Sequence, residues 1–236
     1  MVLPLYLAMT AAEISGSIPI PDYCAYMACQ FSPYTEGLTN LPESMPEETM
    51  LVLNDRMPYP GHSADLVVHQ LQRLVDQWNC ESILLDFQRP PDPESMWLAR
   101  KIADSLLVPV AATEGFARDL SCPVLLSPAP LHVPLPEYLQ PWHGREIWLE
   151  AGFSQEEIII SKTGAKITNR FPPDGLSGGF FDKELCCHYQ IKQETARTIF
   201  TLFDTPTSLR EKLELAHSLG VVRAVGIYQE LGYSLK

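Results

Sequence analysis

The chain has 236 residues and a mass of 26.5 kDa, which suits one domain with a sizeable core and is short for two enzyme domains. Its 46% hydrophobic and 19% charged residues exclude a mainly disordered protein. The formal net charge is −12 and no basic cluster offsets it, which argues against nucleic acid or an anionic membrane as partner, because phosphate groups are bound by clustered Lys and Arg.

Neither a membrane span nor a secretory signal is predicted. No stretch approaches the roughly 18 consecutive apolar residues of a membrane helix, and the apolar residues 1–7 lack the positive flank of a signal peptide. The sequence as written therefore predicts a cytoplasmic protein, and an extracellular one if a leader was removed. The six cysteines form no Cys-x-x-Cys pair and are expected to be reduced, buried thiols. Cys186-Cys187-His188 lacks a second ligand pair, so no metal is expected.

Short apolar runs, most of them followed by proline, predict strands buried on both faces of a parallel sheet. Proline cannot continue a central strand, so each proline cluster indicates where a strand ends. The predicted strands are 3–8, 24–31, 50–54, 83–87, 108–112, 124–127, 146–150 and 222–228.

Three helices are predicted between these strands. Residues 63–78 have an apolar stripe and Ser63 as N-cap. Asp92-Pro93-Glu94 begins the second helix, which continues to about residue 106. Asp204 or Thr205, followed by Pro206, begins the third, which stops at Gly220. Residues 32–48 contain no persuasive helix and are predicted to form a loop.

Together these elements predict an α/β protein, a compact (β/α)8 TIM barrel that spans residues 1–236 as one domain. Residues 152–204 differ in pattern and are predicted to form a β-rich arm inserted after the seventh strand. Its antiparallel strands are 156–161, 166–168, 188–192 and 198–203. A turn at Thr163-Gly164 and a loop with Pro172, Pro173, Gly175, Gly178 and Gly179 join them.

Ligands of such barrels bind at the C-terminal ends of the strands, so polar residues there are the first candidates. The strand ends carry Gln30, Asp55, Arg56, Asp86, Gln88, Arg89, Glu114, Ser127, Glu150, Tyr228, Gln229 and Glu230. In the fourth strand, the two-residue period places Leu84, Asp86 and Gln88 on one face. Because Leu84 is typical of a core, that face is predicted to line the barrel interior, with Asp86 and Gln88 in its mouth.

The run Asp86-Phe87-Gln88-Arg89-Pro90 resembles the fourth-strand motif of the family-18 glycoside hydrolases, the chitinase-like barrels. Residues 198–231 are similar to the end of that family, with Phe203-Asp204, Ser208 and Lys212 around the last helix and Tyr228 where the family usually has Trp. The resemblance implies a pocket for a neutral carbohydrate of the N-acetylglucosamine type, with the Tyr228 ring as a stacking platform at its floor. It also implies that the arm corresponds to the inserted domain of the family.

Departures from the motif decide the expected chemistry. Glu81, Leu84 and Asp86 stand where the family has three aspartates, and Gln88 stands where it has the catalytic acid. Hydrolysis requires a carboxylic acid to protonate the leaving oxygen, and an amide has no acidic proton to give. The expected function is therefore glycan binding with weak or no hydrolysis. The catalytic positions are Asp86, Gln88 and Glu114, and the substrate-binding positions are Gln30, Asp55, Phe87, Arg89, Glu150 and Tyr228.

Two other functions remain open. The chain could be an active glycosidase whose acid has moved to Glu114 or Glu150, although Glu114 also suits the first turn of a short helix. It could instead be a non-catalytic interaction protein, in which Arg56 or Arg89 neutralises Asp86 in a plugged mouth. No Gly-x-Gly-x-x-Gly or phosphate-loop pattern occurs, so no nucleotide cofactor is expected. The oligomeric state cannot be inferred from the sequence.

Overall fold

A computed structural model describes residues 3–16, 18–59, 61, 63–170 and 178–234. The main sheet contains β1 (Leu5–Met9), β2 (Cys24–Phe31), β3 (Leu38–Thr39), β4 (Met50–Asn54), β5 (Ser82–Asp86), β6 (Val110–Thr113), β7 (Val124–Leu126), β8 (Ile147–Ala151) and β14 (Val221–Ile227). All neighbours are parallel except β3, which pairs antiparallel with the end of β2. Because β1 pairs with both β14 and β2, the eight parallel strands close into a barrel. The predicted fold class is confirmed.

Helices cover the barrel unevenly. The described helices are α1 (Ala11–Ile14), α2 (Ala64–Trp78), α3 (Pro93–Ser105), α4 (Glu114–Ala117), α5 (Leu135–Leu139), α6 (Pro206–Ser218) and α7 (Tyr228–Leu231), with a 3-10 turn at Gln140–Trp142. The three long helices begin at the predicted caps, where Ser63, Asp92 and Thr205 accept backbone N–H groups. Residues 32–48, predicted as a loop, contain only the two-residue β3. In the described parts of the chain, no helix combines the length and the apolar character that crossing a membrane requires.

The barrel interior is a separate apolar cluster from the layer between strands and helices. It contains Tyr6, Ala8, Ala25, Met50, Val52, Leu84, Ala111, Leu125, Trp148 and Val225, one or two from each strand. Leu84 therefore faces inward, as its alternation predicts. At the N-terminal end of the barrel, the Arg223 guanidinium lies 4.8 Å from the Trp148 ring and pairs with Glu81 at 2.8 Å, which closes that end. All six cysteines are buried and unbridged, in agreement with the prediction.

The sequence between β8 and α6 forms a second, antiparallel sheet. Its strands are β9 (Gln155–Ser161), β10 (Gly164–Arg170), β11 (Phe180–Asp182), β12 (Cys187–Glu194) and β13 (Arg197–Phe203), in the order β10-β9-β13-β12-β11. The four predicted strands are confirmed with longer bounds, and β11 was not predicted. Of the predicted loop, Pro172, Pro173 and Gly175 lie outside the described residues, whereas Gly178 and Gly179 adopt positive φ angles.

Two polar contacts attach the second sheet to the barrel. The buried Glu156 carboxylate accepts the backbone N–H groups of Leu131 at 3.0 Å and His132 at 3.2 Å, and lies 2.6 Å from Nδ1 of His132. At the return to the barrel, Asp204 accepts the backbone N–H of Ser154 at 3.2 Å and pairs with Lys212 at 2.8 Å. These contacts fix the sheet on the side of the barrel mouth where β7 and β8 end.

Candidate functional site

Polar side chains occupy the inward positions at the C-terminal ends of five neighbouring strands. Alternation from the interior residues Val52, Leu84, Ala111, Leu125 and Trp148 leads to Asn54, Asp86, Thr113, Ser127 and Glu150, respectively. Because the strands are parallel, these ends meet at one mouth. The sequence-predicted Asp86 and Glu150 are therefore both directed toward the mouth.

A cleft of about 260 Å³ opens among the ends of β5 to β8. Its polar lining includes Gln88, Arg89, Thr113, Glu114, Ser127 and Glu150, and its apolar lining includes Phe87, Phe116 and the interior residue Leu125. The structure thus brings together five sequence-predicted residues: Phe87, Gln88, Arg89, Glu114 and Glu150. Convergent polar groups beside aromatic and aliphatic side chains occur in small-molecule sites.

Gln88 lies beside the mouth carboxylate that precedes it by two residues. Its Nε2 donates a hydrogen bond to Oδ1 of Asp86 at 2.5 Å. Burial raises the pKa of Asp86, while the hydrogen bond from Gln88 opposes that rise and the negative charge of Asp55 adds to it. The amide of Gln88 and the carboxylate of Asp86 are therefore hydrogen-bonded neighbours at the mouth.

Glu150 is a partly buried carboxylate of the cleft, whereas Asp86 lies beside the cleft and is not among the residues that line it. Burial raises its pKa, and the negative charges of Asp86 and Glu230 raise it further. The negative charge of Asp86 thus acts on Glu150 across the mouth. A carboxyl group with a raised pKa is suited to hold a proton nearer neutral pH.

The raised pKa of Glu150 predicts a pH-dependent stability. Because the ionised form is disfavoured in the folded state, Glu150→Gln should raise the free energy of unfolding at pH 7. The gain should disappear below about pH 4, where Glu150 is protonated in both the folded and the unfolded chain. Urea unfolding at pH 7 and pH 4 checks this, with the exposed Glu137→Gln as control. A loss of stability at pH 7 from Glu150→Gln alone would contradict it.

Glu114 begins the one-turn helix α4 and pairs with Arg118 at 2.6 Å, one turn later. This is the position that suits a first-turn helix acid, the structural alternative for this residue. Its side chain still lines the cleft.

Asp55 and Arg89 connect the turns that follow β4 and β5. Asp55 is 7% exposed, and its carboxylate accepts the backbone N–H groups of Gln88 and Arg89, each at 2.9 Å. The Arg89 guanidinium donates to the carbonyl oxygens of Asp55 at 2.9 Å and Arg56 at 3.0 Å. Arg89 is therefore directed at backbone carbonyls, and Asp55 is not among the residues that line the cleft.

Comparison with known proteins identifies the architecture. No protein-family model and no curated protein matches the sequence. Among solved structures, the chitinase-like agglutinin RobpsCRA from Robinia pseudoacacia superimposes with a TM-score of 0.60 at 14% identity, covering 98% of this chain and 96% of the agglutinin. The spore cortex-lytic enzyme SleL of Bacillus megaterium gives 0.58 at 12% identity, covering 98% and 71%.

A third structure is a GH18 chitinase mutant from Cycas revoluta in complex with (GlcNAc)4. It gives a TM-score of 0.57 at 12% identity and covers 94% of each chain. One of the two substitutions in that mutant replaces Glu by Gln. The chain shares its fold with the GH18 chitinases.

Within this GH18-like barrel, Glu81 and Leu84, which the sequence comparison aligned with the first two aspartates of the family motif, lie away from the cleft. Leu84 packs in the barrel interior. Glu81 lies at the opposite end of β5 from the cleft, where its carboxylate accepts the hydroxyl of Tyr6 at 2.5 Å and pairs with Arg223. Of the motif positions, Asp86 and Gln88 are thus the two that reach the mouth.

Tyr228 and Gln30 lie outside the cleft of the GH18-like barrel. Tyr228 is 3% exposed and packs in the layer outside the barrel wall, with its ring 5.8 Å from that of Tyr233. The ring is therefore not a surface onto which a sugar could stack, and the inward position at the end of β14 belongs to Ile227, by alternation from Val225. Gln30 is half-buried on β2, opposite Asn54 and Thr39.

Sequence reasoning missed Thr113 and Asn54. The hydroxyl of Thr113 donates to the carbonyl of Phe87 at 2.6 Å, which joins β6 to the turn after β5. The Asn54 amide donates to the carbonyls of Met27 at 3.2 Å and Cys29 at 2.9 Å. Continuing the two-residue alternation one step past Ala111 and Val52 would have found both.

Proposed function

We propose that the mouth of this barrel binds a carbohydrate of the N-acetylglucosamine type and hydrolyses it weakly or not at all. The observation that carries the proposal is the Gln88 carboxamide, which lines the cleft and donates to Asp86 at 2.5 Å. A carboxamide can donate a hydrogen bond to a glycosidic oxygen but has no acidic proton for the leaving group. The cleft therefore has the polar groups to hold a sugar and lacks the usual acid at this position.

The similar solved structures support a carbohydrate as the ligand. One is described as an agglutinin, and a GH18 chitinase mutant with a Glu-to-Gln substitution was crystallised with (GlcNAc)4. A barrel of this fold that carries such a substitution can thus hold an oligosaccharide. With about 260 Å³, the cleft of this chain is near the lower end of small-molecule pockets, roughly 300 Å³, which favours a small ligand or one end of a longer one.

An active glycosidase with Glu150 as its acid is the second candidate. The raised pKa of Glu150 in the same cleft favours it, since a general acid must retain its proton near the working pH. Glu114 is a weaker candidate because its carboxylate already pairs with Arg118 at 2.6 Å in the first turn of α4. An interaction protein with a neutralised mouth is the third candidate. The positive charge of Arg56 opposes the rise that burial causes in the pKa of Asp86, which favours this candidate, whereas Arg89 donates to backbone carbonyls rather than to Asp86.

Titration of the protein with (GlcNAc)4 in a calorimeter, followed by mass analysis of the recovered oligosaccharide, tests the proposal. We expect saturable binding with the oligosaccharide recovered intact. Absence of binding would contradict the proposal. Rapid cleavage that Glu150→Gln abolishes would instead support the glycosidase with Glu150 as its acid. Rapid cleavage that Glu150→Gln leaves unchanged would contradict both the proposal and that second candidate.

A further inference from the structure

Hydrogen bonds run in both directions between the turn after β4 and the turn after β5. Each oxygen of the Asp55 carboxylate accepts one backbone N–H at 2.9 Å, Oδ1 from Gln88 and Oδ2 from Arg89. In return, Nε of Arg89 donates to the carbonyl of Asp55 at 2.9 Å, and its Nη2 donates to the carbonyl of Arg56 at 3.0 Å. Four bonds thus join the two turns, and one of them holds the backbone N–H of Gln88, whose side chain lines the cleft.

The turn that carries Asp55 is itself anchored to the barrel. Pairing between β2 and β4 shifts register between Tyr26 and Cys29. At this irregularity the buried Asn54 amide donates to the carbonyls of Met27 and Cys29, and its Oδ1 accepts the backbone N–H of Arg56 at 3.3 Å. The position of Asp55 is therefore set by the barrel wall rather than by the loop alone.

We propose that Asp55 is a positioning residue that sets the Gln88 carboxamide against Asp86. A buried carboxylate is costly unless it is hydrogen-bonded, and Asp55 uses both oxygens on the two residues that form the turn after Phe87. With the backbone N–H of Gln88 held, the side chain reaches Asp86 at 2.5 Å. Asp55, which the sequence suggested as a ligand residue, acts through Gln88.

The effect on sugar affinity rests on the proposed function, whereas the effect on Gln88 itself does not. The test compares Asp55→Asn with Asp92→Asn in the full chain. Asp92 is a matched control because its Oδ1 also accepts two backbone N–H groups, from Glu94 at 2.9 Å and Ser95 at 3.0 Å, but it does not contact Gln88. In Asp55→Asn, an NH2 donor replaces one of the two acceptors and faces a backbone N–H.

Two readouts are measured: the side-chain amide resonance of Gln88 in a ¹H–¹⁵N spectrum and the affinity for (GlcNAc)4. In Asp55→Asn we expect the Gln88 resonance to move and the affinity to fall about tenfold, the size of one lost charge-assisted hydrogen bond. In Asp92→Asn the Gln88 resonance and the affinity should both stay unchanged, even if its unfolding temperature falls as much as that of Asp55→Asn.

A Gln88 resonance that is the same in both variants and in the unsubstituted chain would overturn the positioning role. If the unsubstituted chain binds no (GlcNAc)4 while the resonance still moves in Asp55→Asn, the proposed function fails and the positioning role stands. If Asp55→Asn does not fold, Arg89→Lys replaces it. This substitution keeps the charge but loses the guanidinium that donates to two carbonyl oxygens, so we again expect the Gln88 resonance to move and the affinity to fall.

Discussion

Gln88→Glu should convert the protein into a glycosidase at least about 10²-fold more active than the unsubstituted chain, because general acid catalysis contributes on the order of 10² to 10⁴ in rate. The side chain at this position lines the cleft and lies within hydrogen-bond distance of Asp86. A carboxyl group there would lie beside the negative charge of Asp86, which should raise its pKa and help it to keep the proton that it must donate.

The rate of release from a chromogenic N-acetylglucosaminide measures this gain. The matched control is the double variant Gln88→Glu with Asp86→Asn, because the resemblance to the family-18 enzymes implies that Asp86 orients the N-acetyl group of the sugar. We expect the double variant to lose the gain. A folded Gln88→Glu variant with no greater activity than the unsubstituted chain would show that the cleft lacks more than the acid.

Lys212→Ala should destabilise the fold by about 3–5 kcal/mol, the cost of leaving a buried charge without its partner. Lys212 pairs with Asp204 at 2.8 Å, and the two side chains are 8% and 1% exposed. The same carboxylate accepts the backbone N–H of Ser154, so the pair joins α6 to both ends of the second sheet. Its loss should weaken the attachment of that sheet to the barrel as well as the global stability.

Urea unfolding of Lys212→Ala and Lys192→Ala provides the comparison. Lys192 pairs with Glu194 at the same 2.8 Å, but its side chain is 72% exposed, so its removal should have little effect. The double variant Asp204→Asn with Lys212→Met should lose less stability than Lys212→Ala, because no charge is left buried. Equal stability losses in Lys212→Ala and Lys192→Ala would refute the importance of the buried pair.

The barrel was predictable because its strands are short apolar runs with clear ends. Cys24–Phe31 and Met50–Asn54 have the predicted bounds, and the alternation around Leu84 correctly gave the inward face of β5. The second sheet was predictable for the same reason, apart from the three-residue β11, which is too short to show a period.

The misplaced residues depend on geometry that a linear pattern does not contain. The pairing of β14 with β8 shifts register between Val221 and Arg223, which changes the residues of β14 that face inward. Ile227 faces the barrel interior, so the next residue, Tyr228, lies on the outside of the barrel, although the sequence motif suggested a place at the floor of the pocket. Asp55 stands at a strand end like a ligand residue, yet its partners are 33 and 34 residues further along the chain. A carboxylate that binds a ligand and one that caps a neighbouring turn look alike in sequence.

A crystal structure of the protein with (GlcNAc)4 tests most directly whether the cleft between the ends of β5 and β8 is the sugar site. The account predicts an intact oligosaccharide with one ring beside Gln88 and Glu150, and a hydrogen bond from the Gln88 amide to a sugar oxygen. An oligosaccharide bound elsewhere, with this cleft empty at saturating concentration, would contradict it.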